Sequence, residues 1–421
     1  MPTVPPVPLA WKNLAHDKVR FGLFASGIGF AVVLMGVQLG IRNAMLDGYT
    51  FLIERINGDL VVMNPARSSL IFREGVSRHR LEQARNVPGV ASVHPLYLDA
   101  QVGQLRNSAG GTTTPAGRDT GTGSAGDAPE GTQNRNIRVI GVDPDANLLL
   151  GIDPELMEKL RVPGTALFDL KSRPSATVKG QTVFGVGDLD KPFVTELNGR
   201  NITLVGGFRL GFDFSTDGTL IVSDRTFEQY MRAPFTSPLA EPLADADLGV
   251  VRLADGASAD AVKAALKKAY DPFGDVVVLT REELAARERG FWLEATPIGF
   301  AFGAGVILGF VVGMVICYQI LAGDVADHLP EYATLKAIGY PNRYLNMVVI
   351  QESLYLALVG YLLGIAVTLV AYLGLERLTG MEMKVTPGRL GLILVLTVVM
   401  CVASGMLAVS KVKKVDPADV F

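Results

Sequence analysis

Four stretches of this chain are too apolar and too long to form ordinary surface helices, and they fall as one, a long gap, then three. The first, FGLFASGIGFAVVLMGVQLGI (residues 21–41), contains no charge, and neither does the second (297–322). The third (345–375) holds a single acid, Glu352, near its start, and the fourth spans 390–410. A helix crossing about 30 Å of hydrocarbon needs about 20 predominantly apolar residues, so each run reads as a transmembrane helix. The apolar core of the first run exceeds the roughly 7–15 residues of a signal peptide, and Met35–Ile41 offers no small-x-small cleavage pattern. It therefore reads as a retained span. The expected fold class is an α-helical membrane protein with four transmembrane helices in a 1+3 arrangement and an α+β domain between the first and second.

Composition fits a few spans joined to a large aqueous domain: 49% of the 421 residues are apolar and 19% charged. A net charge of -3 leaves no basic footprint for nucleic acid. Cys317 and Cys401 both fall inside apolar runs and read as small membrane-buried hydrophobes rather than a disulfide. His16, His79, His94 and His328 are scattered with no ligand spacing, so no metal site is expected. Basic residues near the two membrane faces balance, so orientation rests on the first span. Lys12, Lys18 and Arg20 precede it, against Arg42 and Arg55 after it, which favours a cytoplasmic N-terminus and a large domain outside.

Residues 42–296 alternate short β-type runs with helical patterns, as an α+β domain does. Strands are expected at residues 59–64, 90–98, 137–142, 202–208, 219–224, 249–254 and 275–280, and helices at 78–86, 226–232 and 258–270. Residues 106–136 are rich in Gly, Ser and Thr with almost no large apolar residue and read as a disordered insertion. Asp143, Asp145 and Asp153 resemble a carboxylate cluster, but turn chemistry around Pro144 and Pro154 explains them. The last piece, 281–296, is strongly helix-forming and runs toward the second span. It is expected to be a stiff stalk helix, with Arg287, Phe291 and Trp292 on it and the two aromatics anchoring at the membrane interface.

Glycines recur at four-residue spacing in the spans: Gly36 and Gly40, then Gly305, Gly309 and Gly313, then Gly360 and Gly364. Small residues on one face let helix backbones approach closely in lipid, which generic bundle packing or a homodimer contact would both use. Glu352 reads as reaching water or capping a neighbouring helix near the cytoplasmic face.

The connector 323–344 carries helix punctuation out of proportion to a simple turn. Pro330 suits a first helical turn, and Gly339 with Pro341 ends the helix. The helix Pro330–Ile338 would be about 13 Å long. The chain has no G-x-x-x-x-G-K-[ST], G-x-S-x-G or H-E-x-x-H pattern, so no active site is expected in it.

AWKNLAHDKVRFGLFASGIGFAVVLMGVQLGIRNAMLD (residues 10–47), ATPIGFAFGAGVILGFVVGMVICYQIL (295–321), DVADHLPEYATLKAIGYPNRYL (324–345) and the tail DPADVF together resemble the DevC-type permeases, a branch of the MacB/FtsX (type VII) ABC transporter family. The resemblance implies a multi-pass protein of the bacterial inner membrane with cytoplasmic termini and a periplasmic domain. Residues 1–20 would then form a cytoplasmic amphipathic helix with Trp11, Leu14, Ala15 and Val19 on one face, 376–389 a periplasmic loop, and 411–421 a cytoplasmic tail. It implies no cofactor on this chain, with ATP and Mg on a separate ABC ATPase subunit. A second copy of the chain, a periplasmic adaptor and an outer-membrane channel complete the implied assembly. In that family pattern the connector is the coupling helix seated on the ATPase, and His328, Glu331, Tyr332, Leu335, Lys336 and Tyr340 are its contacts. The implied function is mechanotransmission driving export of a lipidic or hydrophobic substrate. The alternatives are an FtsX-like signalling protein activating a cell-wall hydrolase, or a lipoprotein-releasing permease.

Overall fold

The computed structural model describes residues 18–106, 134–172, 177–178, 181–182, 192–211, 215–231, 244–327, 334, 338, 341–379 and 381–412. The chain divides into two compact units: Met45–Ala295 with Thr379–Met381, and Met1–Ala44, Thr296–Leu378 and Glu382–Phe421.

Helix α1 (Lys18–Arg55) begins in the second of these units, and its last turns belong to the first. The first unit continues with β1 (Leu60–Met63), β2 (Val76–Ser77), α2 (Arg78–Arg85), β3 (Val90–Asp99), β4 (Gln104–Arg106), β5 (Asn134–Asn136) and β6 (Arg138–Val142). Next come α3 (Pro154–Lys159), β7 (Thr165–Asp169), the short pair β8 (Thr177–Val178) and β9 (Gln181–Thr182), β10 (Phe193–Leu197), β11 (Arg200–Phe208), β12 (Thr219–Ser223) and α4 (Asp224–Met231). The unit closes with β13 (Asp245–Ala246), β14 (Leu248–Leu253), α5 (Ala259–Tyr270), β15 (Val277–Thr280), α6 (Arg281–Gly290) and a π-helical turn, Phe291–Ala295.

Eleven of these strands form one mixed sheet in the order β15-β1-β14-β3-β6-β12-β7-β11-β10-β4-β5. Only β6/β12 and β7/β11 are parallel. Both faces are covered, so strands such as β1, β6 and β12 are buried at every position. Their side chains still alternate between two cores. Leu60, Val62, Tyr97, Leu220 and Val222 meet Phe227 of α4 and Leu266 of α5 on one face. Val61, Met63, Leu96, Ile140 and Ile221 meet Leu52 and Ile53 from the end of α1, and Ile56 just after it, on the other. The β10–β11 hairpin closes through Asn198 (φ 52°) and Gly199 (φ 73°), the left-handed pair that a two-residue turn requires.

Two sequence expectations change here, and a third holds. The first apolar helix does not end at residue 41 but continues to Arg55, because residues 45–56 are amphipathic and their apolar face packs under the sheet. The insertion 106–136 is not wholly outside the fold: Arg106 ends β4 and Asn134–Asn136 form β5, paired with each other. Residues 107–133 of it lie outside the described residues. Asp143 and Asp153 do turn work, Asp143 accepting from the Asp145 amide at 3.0 Å and Asp153 capping α3 through the Glu155 amide.

Tyr270, at the end of α5, is 2% exposed, and its hydroxyl donates to the Arg80 carbonyl at 2.9 Å. Burial pushes its phenol up to about 12, partly offset by Arg80. An unfolded-state tyrosine releases its proton near pH 10, so between 10 and about 12 the folded chain holds a proton that the unfolded chain has lost. The stability this residue contributes is therefore complete below pH 10 and declines as pH rises toward 12. Tyr270→Phe is expected to flatten that decline, followed by alkaline unfolding, and to remove one late step from the tyrosinate absorbance titration.

The other unit holds the N-terminal part of α1 with α7 (Pro297–Asp327), α8 (Asn342–Thr379) and α9 (Pro387–Val412). All four helices are long and apolar enough to cross a membrane. Ile28, Ala31, Val32, Met35, Cys317, Leu356, Met400 and Cys401 form the centre of the bundle. Interhelical hydrogen bonds add to the packing: Tyr372 Oη donates to the Gly36 carbonyl at 2.6 Å, and Ser404 Oγ to the Met314 carbonyl at 2.8 Å.

Candidate transmission element

The segment 281–295 starts with a capping box. The Glu283 amide donates to Thr280 Oγ1 at 3.2 Å, while the Thr280 amide donates to the Glu283 carboxylate at 2.8 Å. α6 then runs only to Gly290. Phe291–Ala295 is π-helical, Thr296 is a bend, and Pro297 opens α7. The expected continuous stalk over 281–296 is thus interrupted, because Pro297 lacks an amide proton and disfavours the α conformation at the residue before it.

The stalk residues are held by the loop Asn64–Gly75 on one side and by α1 on the other. Arg287 Nη2 donates to the Pro65 and Arg67 carbonyls at 2.7 and 2.9 Å. Phe291 meets Phe72 edge-on at 5.8 Å. Trp292 stacks flat on Tyr49, with ring centroids 3.7 Å apart. The two aromatics expected as interfacial anchors therefore have specific ring partners in their own domain.

Glu288 is the residue that sequence reasoning missed. It is 2% exposed and accepts from Ser69 Oγ (2.6 Å), the Leu70 amide (2.9 Å) and Trp292 Nε1 (2.9 Å). Arg138 sits nearby on β6, and burial, partly offset by the Glu288 carboxylate, brings its guanidinium down to about 10. Tyr49, Asp99, Arg138 and Glu288 line a cavity of about 10 Å³, room for one water. The gripping loop is itself tied down by Arg67, fully buried, which pairs with Asp247 Oδ1 at 2.8 Å and donates to the Leu70 carbonyl at 2.9 Å. In sequence, Glu288 lies in RERG, which reads as a charged surface turn of helix, and nothing local points to a partner more than 200 positions away.

In the bundle, the singled-out glycines lie at helix contacts. A methyl on Gly305 would meet Gln38, on Gly309 Met35, and on Gly313 Ala31 and Met400. Gly360 and Gly364 face Ile28 and Val32. Of the two expectations for Glu352, reach to water does not hold, since α8 begins earlier than residue 345 and Glu352 is 0% exposed. The Cys317 and Cys401 thiols are buried and face each other at 3.6 Å.

The proposed ATPase contacts His328, Glu331, Tyr332, Leu335, Lys336 and Tyr340 lie outside the described residues, as does most of 1–20 and of 411–421. Of the connector helix, Thr334 and Ile338 are described, and the Ile338 amide donates to the Thr334 carbonyl at 3.0 Å.

Residues 298–417, which contain α8, α9 and all of α7 but Pro297, match the FtsX-like permease C-terminal family. No curated protein sequence matches the chain. Among solved structures, the chain is similar to the periplasmic region of MacB from Actinobacillus actinomycetemcomitans, at 8% identity and a TM-score of 0.32 over 54% of this chain and 91% of that one. It is also similar to the extracellular domain of the noncanonic ABC-type transporter YknZ from Gram-positive bacteria, at 10% identity and a TM-score of 0.30 over 53% of this chain and 99% of that one.

Proposed function

We propose that this chain, whose residues 298–417 match the FtsX-like permease C-terminal family, is the membrane permease subunit of an ABC-type exporter. The observation that carries the reading is that this match falls on the three consecutive apolar helices α7, α8 and α9. In this reading the four helices span a bacterial inner membrane with both termini in the cytoplasm, and the sheet domain stands in the periplasm. A separate subunit binds ATP and Mg, a second copy of the chain completes the permease, and a periplasmic adaptor and outer-membrane channel of the DevC-type kind receive a lipidic or hydrophobic substrate.

The work of the chain is then mechanical. The connector 323–344 takes the push of the ATPase, and two of the chain's passages between the apolar helices and the sheet domain differ in continuity. One is α1, an unbroken helix from Lys18 to Arg55. The other passes through the bend at Thr296 and the π turn. A helix without a break transmits displacement, while a bend with a π turn concentrates it, as kinked and π segments do at functional positions.

The test is co-purification of the detergent-solubilised chain with its ATPase, for the wild type and for Glu331→Ala/Lys336→Ala. The double variant is expected to weaken the association about tenfold or more and to uncouple ATP hydrolysis, as loss of two central interface contacts does. A variant that binds and couples like the wild type would remove the connector from the mechanism. A chain that purifies with its ATPase and a cell-wall hydrolase activator, but with no periplasmic adaptor, would favour the signalling alternative.

A further inference from the structure

The π-helical turn Phe291–Ala295 requires an explanation, since such turns are rare and fall frequently at functional positions, and this one is held by contacts from outside its own helix. Here those contacts come from two places. Tyr49 of α1 holds Trp292 by stacking. The loop Asn64–Gly75 holds the rest, through Phe72 on Phe291 and through Ser69 and Leu70 on Glu288, whose carboxylate in turn fixes the Trp292 indole.

We propose that the loop Asn64–Gly75 is a latch, with Glu288 as its catch, and that its release lets Phe291–Ala295 leave the π register. Three properties of the site support a two-state element rather than a rigid joint. The catch is polar: one carboxylate collects three donors, so the grip is directional and is lost as a set when the geometry shifts. The grip is divided: Arg67 and the Arg287 bonds to the Pro65 and Arg67 carbonyls hold the start of the loop, while Glu288 holds Ser69 and Leu70, and Pro65, Ala66, Ser68 and Phe72 are exposed, so the middle of the loop can lift without opening the sheet core. The loop also has a hinge point of its own, because Arg67 pins it to Asp247, a residue that Glu288 does not touch. Glu288, Ser69 and Tyr49 are thus positioning residues for the π turn. A gating role in transmission rests on the permease reading above, whereas the latch itself does not.

Trp292 is one of only two tryptophans, the other being Trp11, so Trp11→Phe leaves it as the sole indole reporter. In that full-length, detergent-solubilised background, Glu288→Gln and the milder Ser69→Ala are compared by hydrogen exchange and by acrylamide quenching of Trp292. Glu288→Gln is expected to speed exchange in residues 64–75 and 281–295 together by about 10- to 100-fold, the factor set by losing charge-assisted hydrogen bonds. Trp292 becomes more quenchable, while exchange in β12 stays unchanged. Ser69→Ala moves the same two segments by a smaller factor. Unchanged exchange, or faster exchange in only one of the two segments, overturns the latch. Faster exchange that includes β12 in both variants overturns it too, since Glu288 would then hold the fold rather than the turn. Because neither readout needs ATP or a partner subunit, a failed latch is distinguishable from a failed permease assignment.

Discussion

Replacing Asp247 by alanine is expected to destabilise the sheet domain by about 3–5 kcal/mol, the cost of breaking a buried ion pair from one side. Arg67 is fully buried and Asp247 is 4% exposed. The two meet through Arg67 Nη1 and Asp247 Oδ1 at 2.8 Å, and the same Nη1 reaches the Asp247 carbonyl at 3.1 Å. The second carboxylate oxygen accepts from the Leu98 amide on β3 at 2.9 Å, so one side chain ties the loop 64–75 to the sheet. Alanine leaves an arginine that cannot shed its charge inside the protein, and it orphans a strand amide as well. For a domain of this size the loss corresponds to a fall in melting temperature of about 10 °C. The variant Arg67→Leu/Asp247→Leu, which removes both charges, is expected to recover most of the stability but to leave the loop without its pin. Thermal unfolding of the solubilised chain decides the point. A loss under about 1 kcal/mol for Asp247→Ala would mean that water reaches Arg67 and the pair is not a dry contact.

What local rules could read in this sequence, and what they could not, follows from the range of the interactions. The seven expected strands at residues 59–64, 90–98, 137–142, 202–208, 219–224, 249–254 and 275–280 correspond to β1, β3, β6, β11, β12, β14 and β15, because each is a β-branched run bounded by turn residues. β10 was missed although Asn198-Gly199 marks its hairpin, a signal available without any structure. The extension of α1 was missed for a different reason. Arg42 ends the unbroken apolar run and Asp47 and Glu54 follow it, yet Met45, Tyr49, Leu52, Ile53 and Ile56 recur at helical spacing and are all buried. A test for continuous apolarity therefore stopped where a test for period would have gone on.

The break at Thr296 was also written in the sequence, as Pro297, but helix propensity summed over 281–295 outweighed it in the reading. The stiff connection was consequently expected at the wrong junction: the uninterrupted helix is α1, and the segment before α7 carries a bend and a π turn. The site around Glu288 was not legible at all. Two of its three donors come from a loop some 220 positions earlier in the chain, and the aromatic partners of Phe291 and Trp292 are as distant, so a rule that assigns such aromatics to a membrane interface has nothing local to correct it.

The glycines of the bundle allow the sharpest contrast between positions that look alike in sequence, and Gly364→Ala is expected to cost about 1–3 kcal/mol where Gly374→Ala costs nothing. A Cβ at Gly364 would sit 2.6 Å from Val32 Cβ, 2.7 Å from Val32 Cγ1 and 2.8 Å from the Gly29 carbonyl oxygen. The last of these is backbone of α1, so no rotamer change relieves it, and α1 and α8 must move apart. Around Gly374 nothing lies within 4 Å. There the substitution meets only the intrinsic preference for alanine in a helix, a gain of up to about 1 kcal/mol. Gly364→Leu enlarges the first effect, because the whole side chain must enter the space that Val32 fills. Separation of α1 from α8 would also weaken the Tyr372 to Gly36 hydrogen bond, which joins the same two helices eight residues further along α8. Thermal stability of the solubilised chain, measured in one detergent for all three variants, separates the cases. If Gly364→Ala and Gly374→Ala melt together, the four-residue spacing reflects the helix surface and not the contact between α1 and α8. If they part in the expected direction, Gly364 is where the bundle sets the distance between the helix that enters the sheet domain unbroken and the one that follows the connector.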